Sequence, residues 1–193
     1  MGKTAAQNIK EFMTPGRVYR RQELAGLSNN LARDLHKLVK NGELVRPAAG
    51  LYYLPEMTAV GPRPAAAREL VRAFLNEKDF LLTSLNDYNP LGLGLTQLYN
   101  ELIVYNRKRH GNFVLDGRRF SFRRPRNFPP ALTKEFLFVD VLNNRDELAE
   151  DTGKLQYLVA ERVNDVDSQK LLEAARSYGK VYTRKFFEEL LAA

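Results

Sequence analysis

Leu24-Ala25-Gly26-Leu27-Ser28-Asn29-Asn30-Leu31-Ala32-Arg33-Asp34-Leu35-His36-Lys37-Leu38-Val39-Lys40-Asn41-Gly42 is the stretch on which the reading of this chain turns. Gly26 marks a turn, and Ser28 is a good N-cap because its hydroxyl can accept a free amide of the next turn. Leu31, Leu35, Leu38 and Val39 then fall on one helical stripe, and Asn30, Arg33, Lys37 and Lys40 on the opposite one. Asn41-Gly42 ends the helix.

Working outward, Ala5, Ile9, Phe12 and Met13 recur at helical spacing and predict a first helix over 4–13, stopped by Thr14-Pro15-Gly16. Val18-Tyr19-Arg20 is a short extended piece, and Arg21 to Ala25 a short second helix. Beyond Gly42, Leu44-Val45-Arg46, Ala48-Ala49-Gly50 and Leu51-Tyr52-Tyr53-Leu54 read as a hairpin closed by Pro55. Helix, strand, short helix, amphipathic helix and hairpin is the order of a winged helix-turn-helix. On that reading residues 1–60 form a DNA-binding domain. Ser28, Asn29, Asn30, Arg33, Lys37 and Lys40 face the duplex, because Asn pairs with adenine edges, Arg with guanine edges, and lysines hold phosphates. Arg46 on the hairpin contacts backbone or minor groove, and Arg17, Arg20 and Arg21 the flanking backbone. The competing reading of the helix is an ordinary amphipathic surface helix.

Gly61-Pro62-Arg63-Pro64 reads as a linker, with Pro64 in the first turn of a helix carrying Ala67, Leu70, Val71, Phe74 and Leu75. Residues 64–193 read as a mixed α/β domain with an antiparallel sheet and C-terminal helices, so the whole chain is expected to be α+β. Strands are expected at 80–83, 101–106 and 135–142, and a hairpin over 112–124 around Asp116-Gly117. Asn89 to Leu95 is a turn or short helix. Asn144-Arg145-Asp146-Glu147 has the spacing of a capping box that starts a helix. Leu155, Leu158, Val159 and Val163 continue a helical pattern. A further helix begins at Asp167 or Ser168 and ends at Gly179, and Thr183 caps a last one.

The net charge of +7 is unevenly spread. Residues 1–63 hold 10 Lys and Arg against 5 Asp and Glu, and residues 104–126 hold 8 against 1; the segments after each carry a net negative charge. Such asymmetry favours polyanionic partners. The second basic block comprises Arg107, Lys108, Arg109, Arg118, Arg119, Arg123 and Arg124, with Phe113, Phe120 and Phe122 interleaved. On a strand Phe120 and Phe122 share one face while Arg119, Ser121 and Arg123 share the other, which predicts a half-buried sheet with a basic outer surface. That surface is a solvated face, a nucleic-acid contact or a dock for an acidic protein.

The 193 residues suffice for one large or two small domains, and an apolar fraction of 44% for sizeable cores. No cysteine is present, so there is no disulfide framework or thiolate metal site, which fits a reducing cytoplasm. Met1-Gly2 with Ala6 does not match a myristoylation signal, and the apolar runs are too short to span a bilayer. Catalytic patterns are lacking as well. Gly92-x-Gly94 misses the third glycine of a dinucleotide loop, Gln97 standing in its place, and Asp165-Val166-Asp167 reads as helix capping. His36 and His110 have no ligand-spaced partner. The expectation is a cytoplasmic non-enzyme without metal or cofactor.

The Gly50-Leu51-Tyr52-Tyr53-Leu54-Pro55 hairpin behind a short winged helix resembles that of AbiEi-type antitoxins of type IV toxin–antitoxin systems. Asn89-Pro90-Leu91-Gly92-Leu93-Gly94-Leu95-Thr96-Gln97, the strand Leu102-Ile103-Val104-Tyr105-Asn106 and the hairpin ending Phe120-Ser121-Phe122-Arg123 are similar to the same group. The resemblance covers residues 4–145. It implies a bacterial or phage-defence operon. The winged helix would repress its own promoter by binding operator inverted repeats in double-stranded DNA. The C-terminal domain would neutralise a nucleotidyltransferase-like toxin, with or without a stable complex. The chain departs from longer members in its compact C-terminal part. Two other readings stay open: a non-catalytic protein-interaction adaptor, and a winged-helix regulator outside any toxin–antitoxin system.

Overall fold

The computed structural model describes residues 4–192, so the Met1-Gly2 reading lies outside the described residues. The protein is α+β with antiparallel sheets. It divides into two compact units, Met1–Lys78 with Phe113–Arg119, and Asp79–Asn112 with Phe120–Ala193. The boundary read at residues 60–64 therefore falls inside the first unit.

In the first unit, α1 (Ala5–Phe12) starts at a capping box: Thr4 Oγ1 accepts the Gln7 N–H at 3.3 Å, and Gln7 Oε1 accepts the Thr4 N–H at 2.9 Å. β1 (Val18–Arg20) leads through a 3-10 turn, Arg21–Leu24, to α2 (Leu31–Lys40). β2 (Val45–Ala48) and β3 (Leu51–Tyr53) complete a three-stranded sheet of order β1-β3-β2. Val18 pairs with Tyr53 and Arg20 with Leu51, and the β2 register slips between Val45 and Ala48. Pro47, which has no N–H to donate to a ladder, sits in that slip. One core cluster joins Ile9 and Met13 from α1 and Leu35 and Leu38 from α2 with Tyr19, Leu24, Leu44 and Tyr52. The stripe read from the sequence is thus the buried face of α2.

β4 (Glu56–Thr58) and β5 (Gly61–Arg63) pair antiparallel, so the Gly-Pro-Arg-Pro segment is a small hairpin rather than a linker. Gly61 takes a φ of 114°, a conformation open to glycine, and a proline is tolerated in a two-stranded ribbon that is all edge. α3 (Ala67–Leu75) begins after Pro64 rather than at it. Arg72 of α3 donates to the Val18 carbonyl at 2.6 Å while paired with Glu69, which fastens the helix to β1.

The second sheet has the order β6-β7-β9-β8, from β6 (Leu81–Thr83), β7 (Glu101–Tyr105), β8 (Gly111–Leu115) and β9 (Arg118–Arg123). Asp116 and Gly117, at φ 52° and 73°, form the tight turn their sequence announced. Before β7 runs a 3-10 segment, Leu85–Leu91, capped by Ser84 and stopped by Gly92. The rest is helical: α4 (Lys134–Asn143), α5 (Leu155–Arg162), α6 (Ser168–Tyr178) and α7 (Val181–Leu190). Asp167 caps α6 as read, accepting the Lys170 N–H at 3.0 Å.

Three expectations fail here. Residues 135–142 are α4, not a strand: Thr133 caps it through the Phe136 N–H at 3.1 Å. The helix is surrounded, burying Phe136, Phe138, Val139, Asp140, Val141 and Leu142, so it shows no amphipathic period, and a short apolar run reads equally as strand or helix. Asn144 starts only a one-turn 3-10 segment, Arg145–Glu147, because its side chain and that of Glu147 are engaged elsewhere. Thr183 lies buried inside α7, whose cap position is Lys180.

Replacing Phe138, wholly buried at the centre of α4, by Ala should lower the unfolding free energy by about 3–5 kcal/mol, through lost burial plus the cavity left behind. Urea titration of both proteins checks this, and a cost below about 1 kcal/mol would contradict the central position of α4.

Candidate functional site

Each unit offers one candidate surface. On the first, α2 turns Arg33, Lys37 and Lys40 to solvent, and Asn29 and Asn30 lie exposed in the turn just before it. This follows from the core: once Leu35 and Leu38 are buried, the helical period sends positions 33, 37 and 40 outward. Arg33 leans toward Asp34 at 3.7 Å with three quarters of its side chain exposed, and Lys40 and Arg46 form no ion pair among the described residues. Arg46, exposed on β2, meets α2 across a groove of about 240 Å³ lined by Arg21, Ala32, His36, Val39, Arg46 and Tyr52. The structure therefore leaves Asn29, Asn30, Arg33, Lys37, Lys40 and Arg46 exposed, while Arg20 is turned to the Ala73 carbonyl at 3.2 Å. It adds His36, which sequence reading had set aside for want of a ligand-spaced partner.

Ser28 is not the N-cap of α2, a position that falls to Asn30. Its hydroxyl donates to Asp34 at 2.5 Å and accepts the Asn30 N–H at 2.9 Å, so it pins the turn ahead of a helix that starts at Leu31. Both partners lie within the chain.

The second unit encloses a cavity of about 560 Å³. At its floor stands Asp140, the one acidic residue in the middle of α4. It accepts the Tyr88 hydroxyl at 2.7 Å and the Tyr105 hydroxyl at 2.8 Å. Asn144, one turn on, donates to the same two tyrosine oxygens at 2.9 and 3.0 Å and accepts from Arg123 at 3.0 Å. Arg123 completes the chain with a two-pronged pair to Glu147 at 2.8 and 2.5 Å. Tyr105, Phe136 and Tyr178 form an aromatic row along the cavity, successive ring centres standing 6.3 and 5.5 Å apart edge to face.

Burial pushes the Asp140 carboxyl up to about 6, against the lowering effect of the two tyrosine hydroxyls and the Arg123 charge. Burial also raises both tyrosines, and the Asp140 charge adds to it. For Arg123, burial opposes the charge, but the Glu147 carboxylate outweighs it and the guanidinium is raised.

The expected basic surface is thereby redrawn. Arg107, Lys108, Arg109 and Arg124 are exposed in the second unit, and Arg119 is exposed in the first. Arg123 is not on an outer face: its side chain is 17% exposed, because that side of β9 lies against the end of α4 and Glu147. Arg118 is half-buried, donating to the Ala65 carbonyl and leaning on Asp116 at 3.8 Å. Sequence reading missed Tyr88, Tyr105, Asp140, Asn144 and Glu147. The one available signal was a lone aspartate inside an apolar run. Among the described residues no three His, Asp or Glu side chains gather where they would hold a metal ion, and no helix is long and apolar enough to cross a membrane.

No protein-family model matches the chain, and no curated protein matches it. Its fold is similar to that in the crystal structure of the RV2827C protein from Mycobacterium tuberculosis, with a TM-score of 0.56 and 17% sequence identity over 91% of this chain and 71% of that one. At that identity the likeness concerns the fold alone.

The raised Asp140 carboxyl links stability to pH. A group that holds its proton more tightly when folded stabilises most below its unfolded value, and the gain is lost as pH rises through about 6. Relative to Asp140→Asn, the wild-type protein should therefore lose up to roughly 3 kcal/mol of unfolding free energy between pH 4 and pH 7.5. Denaturant titrations across that range test it, and a difference that is flat with pH would remove Asp140 as the titrating group.

Proposed function

We propose that the first unit is a winged-helix DNA-binding module and that the protein is the antitoxin and transcriptional autorepressor of a type IV toxin–antitoxin operon, acting in the cytoplasm. The observation that carries the DNA-binding half is the outward face of α2 and the turn before it, where Asn29, Asn30, Arg33, Lys37 and Lys40 stand exposed beside Arg46 of the hairpin. The sheet order β1-β3-β2 supports the reading, since a winged helix pairs the strand between its first helices with the second strand of the wing. A helix 10 residues long is about 15 Å, enough to lie in a major groove with its N-terminal side chains on base edges.

On this reading Asn29, Asn30 and Arg33 read bases, Lys37 reaches a base edge or a phosphate, and Lys40 and Arg46 hold phosphates. Ser28 acts indirectly by fixing the turn that presents Asn29 and Asn30. Operator inverted repeats would take two copies of the chain. The antitoxin half rests on the sequence resemblance: the second unit would counteract a nucleotidyltransferase-like toxin, with or without a stable complex.

Arg33→Ala should weaken binding to the DNA upstream of the protein's own reading frame by about 1–3 kcal/mol, the scale of one lost base contact, and relax specificity at one position. A titration that leaves affinity unchanged would remove Arg33 from the interface, and a loss uniform across sequences with a smaller salt slope would make it a phosphate contact. Co-expression with a neighbouring nucleotidyltransferase-like reading frame should restore the growth that frame suppresses. Continued growth arrest would overturn the antitoxin assignment and leave a regulator.

A further inference from the structure

The cavity of the second unit opens beside a concentration of positive charge outside the proposed duplex-binding face of α2. Two segments, 106–110 after β7 and 123–128 after β9, are locked side by side by the wholly buried Asn106. Its backbone N–H donates to the Arg123 carbonyl at 2.9 Å, and its Nδ2 donates to the carbonyls of Arg109 and Arg123 at 3.0 and 3.2 Å. Its Oδ1 accepts the N–H groups of Lys108 and Arg109 at 2.8 and 2.7 Å. An amide so fully committed makes a rigid platform of what the sequence shows as a basic loop. The platform presents Arg107, Lys108, Arg109 and His110 to solvent next to Arg124 and Arg126. Arg124 and Arg126 form no ion pair among the described residues, whereas Arg107 pairs with Asp79 at 3.4 Å and lies over the Phe128 ring at 5.2 Å.

His110, Arg124, Asn127 and Phe128 are also lining residues of the 560 Å³ cavity, together with the aromatic row Tyr105, Phe136 and Tyr178. That volume lies in the range of about 300–1,000 Å³ usual for sites that hold a small molecule. Cationic rim, aromatic wall and hydrogen-bonding floor are thus one continuous feature of a single unit.

We propose that this cavity binds one unpaired nucleotide unit, with its phosphate on Arg124 and Arg126 at the rim and its base against the Phe128, Phe136 and Tyr178 rings. Bases stack on aromatic side chains whatever their sequence, and exposed unpaired guanidiniums are what a phosphate requires. The floor decides against an acidic peptide. Deep in the cavity the Arg123 guanidinium is already neutralised by Glu147 and Asp140 adds a buried carboxyl, so a carboxylate side chain entering it finds no free guanidinium there, whereas a nucleotide leaves its charge at the rim and sends in a neutral base. Duplex DNA is also a poor occupant, because its bases are stacked within the helix. The ligand is a free nucleotide or an unpaired residue of a single strand, and the site does not depend on duplex binding by the first unit.

The test uses the full chain and two probes, a fluorescent single-stranded RNA octamer read by anisotropy and adenosine 5′-monophosphate as competitor. The octamer should bind, and Arg33→Ala should leave that binding unchanged. The exposed double variant Arg124→Glu with Arg126→Glu should weaken it at least about tenfold and flatten the salt dependence by about 0.7 per lost phosphate contact. Tyr178→Ala should weaken it about 5- to 100-fold with the salt dependence intact. Full competition by the mononucleotide identifies a free nucleotide as sufficient, and binding of the octamer alone identifies a strand. Failure of both probes to bind more tightly than about 1 mM would overturn the proposal. So would octamer binding that survives both the charge reversal and Tyr178→Ala, or that is lost only with Arg33.

Discussion

One buried carboxylate holds the second unit in register. Asp140 lies on α4, a helix that is apolar on nearly every side, and such a helix has no amphipathic stripe to fix its rotation. Its two oxygens take the hydroxyls of Tyr88 and Tyr105, which come from the 3-10 segment and from β7. A turn of α4 by one residue would drop an ionisable group into hydrocarbon and strand both tyrosines, at several kcal/mol for the charge alone. Asp140 thus sets how the helical layer meets the sheet. Asn144 and Arg123 extend the same network until it reaches Glu147 near the surface. A buried ionic network is in itself weak evidence of stability; what this one adds is a single way for α4 to sit.

Legibility in the sequence divided along the same line. Where a segment has one wet face and one dry face, its pattern shows: Leu35 and Leu38 against Arg33, Lys37 and Lys40 gave α2 its buried side, and Asp116-Gly117 its turn in the β8–β9 hairpin. Where a segment is buried all round, alternation and helical period vanish together. Residues 135–142 therefore read as a strand, on the strength of a Phe, Leu and Val content that packing overrode. The Gly-Pro-Arg-Pro stretch misled for the opposite reason. Its residues are common in linkers, yet a ribbon of two short strands has edges enough to accept both proline and a left-handed glycine.

The cavity was illegible because no local stretch contains it. Tyr105, Arg123, Asp140 and Tyr178 are brought together from two strands and two helices, and none is unusual in its own neighbourhood. Arg123 shows the limit well. Strand alternation correctly put it opposite Phe120 and Phe122, but alternation cannot say whether the face opposite a core is solvent or a second wall. Here the end of α4 lies against that face, so a residue read as surface became part of the floor.

The inward turn of Arg123 also sorts the basic block by function. Eight cations in residues 104–126 read as one charged patch, but Arg123 is neutralised by Glu147 and Arg118 is drawn to Asp116 and a backbone carbonyl. A charge already paired and half-buried attracts a distant anion weakly, since its field is cancelled at short range. Long-range attraction is left to exposed members such as Arg124 and Arg126, which form no ion pair among the described residues. The first unit concentrates its charge on a convex helix, which suits a groove in a partner. The second sets its charge around a concavity with aromatic walls, which suits a partner that can be drawn in. On the proposed readings, the two halves of a strongly basic chain would therefore meet different shapes of anion.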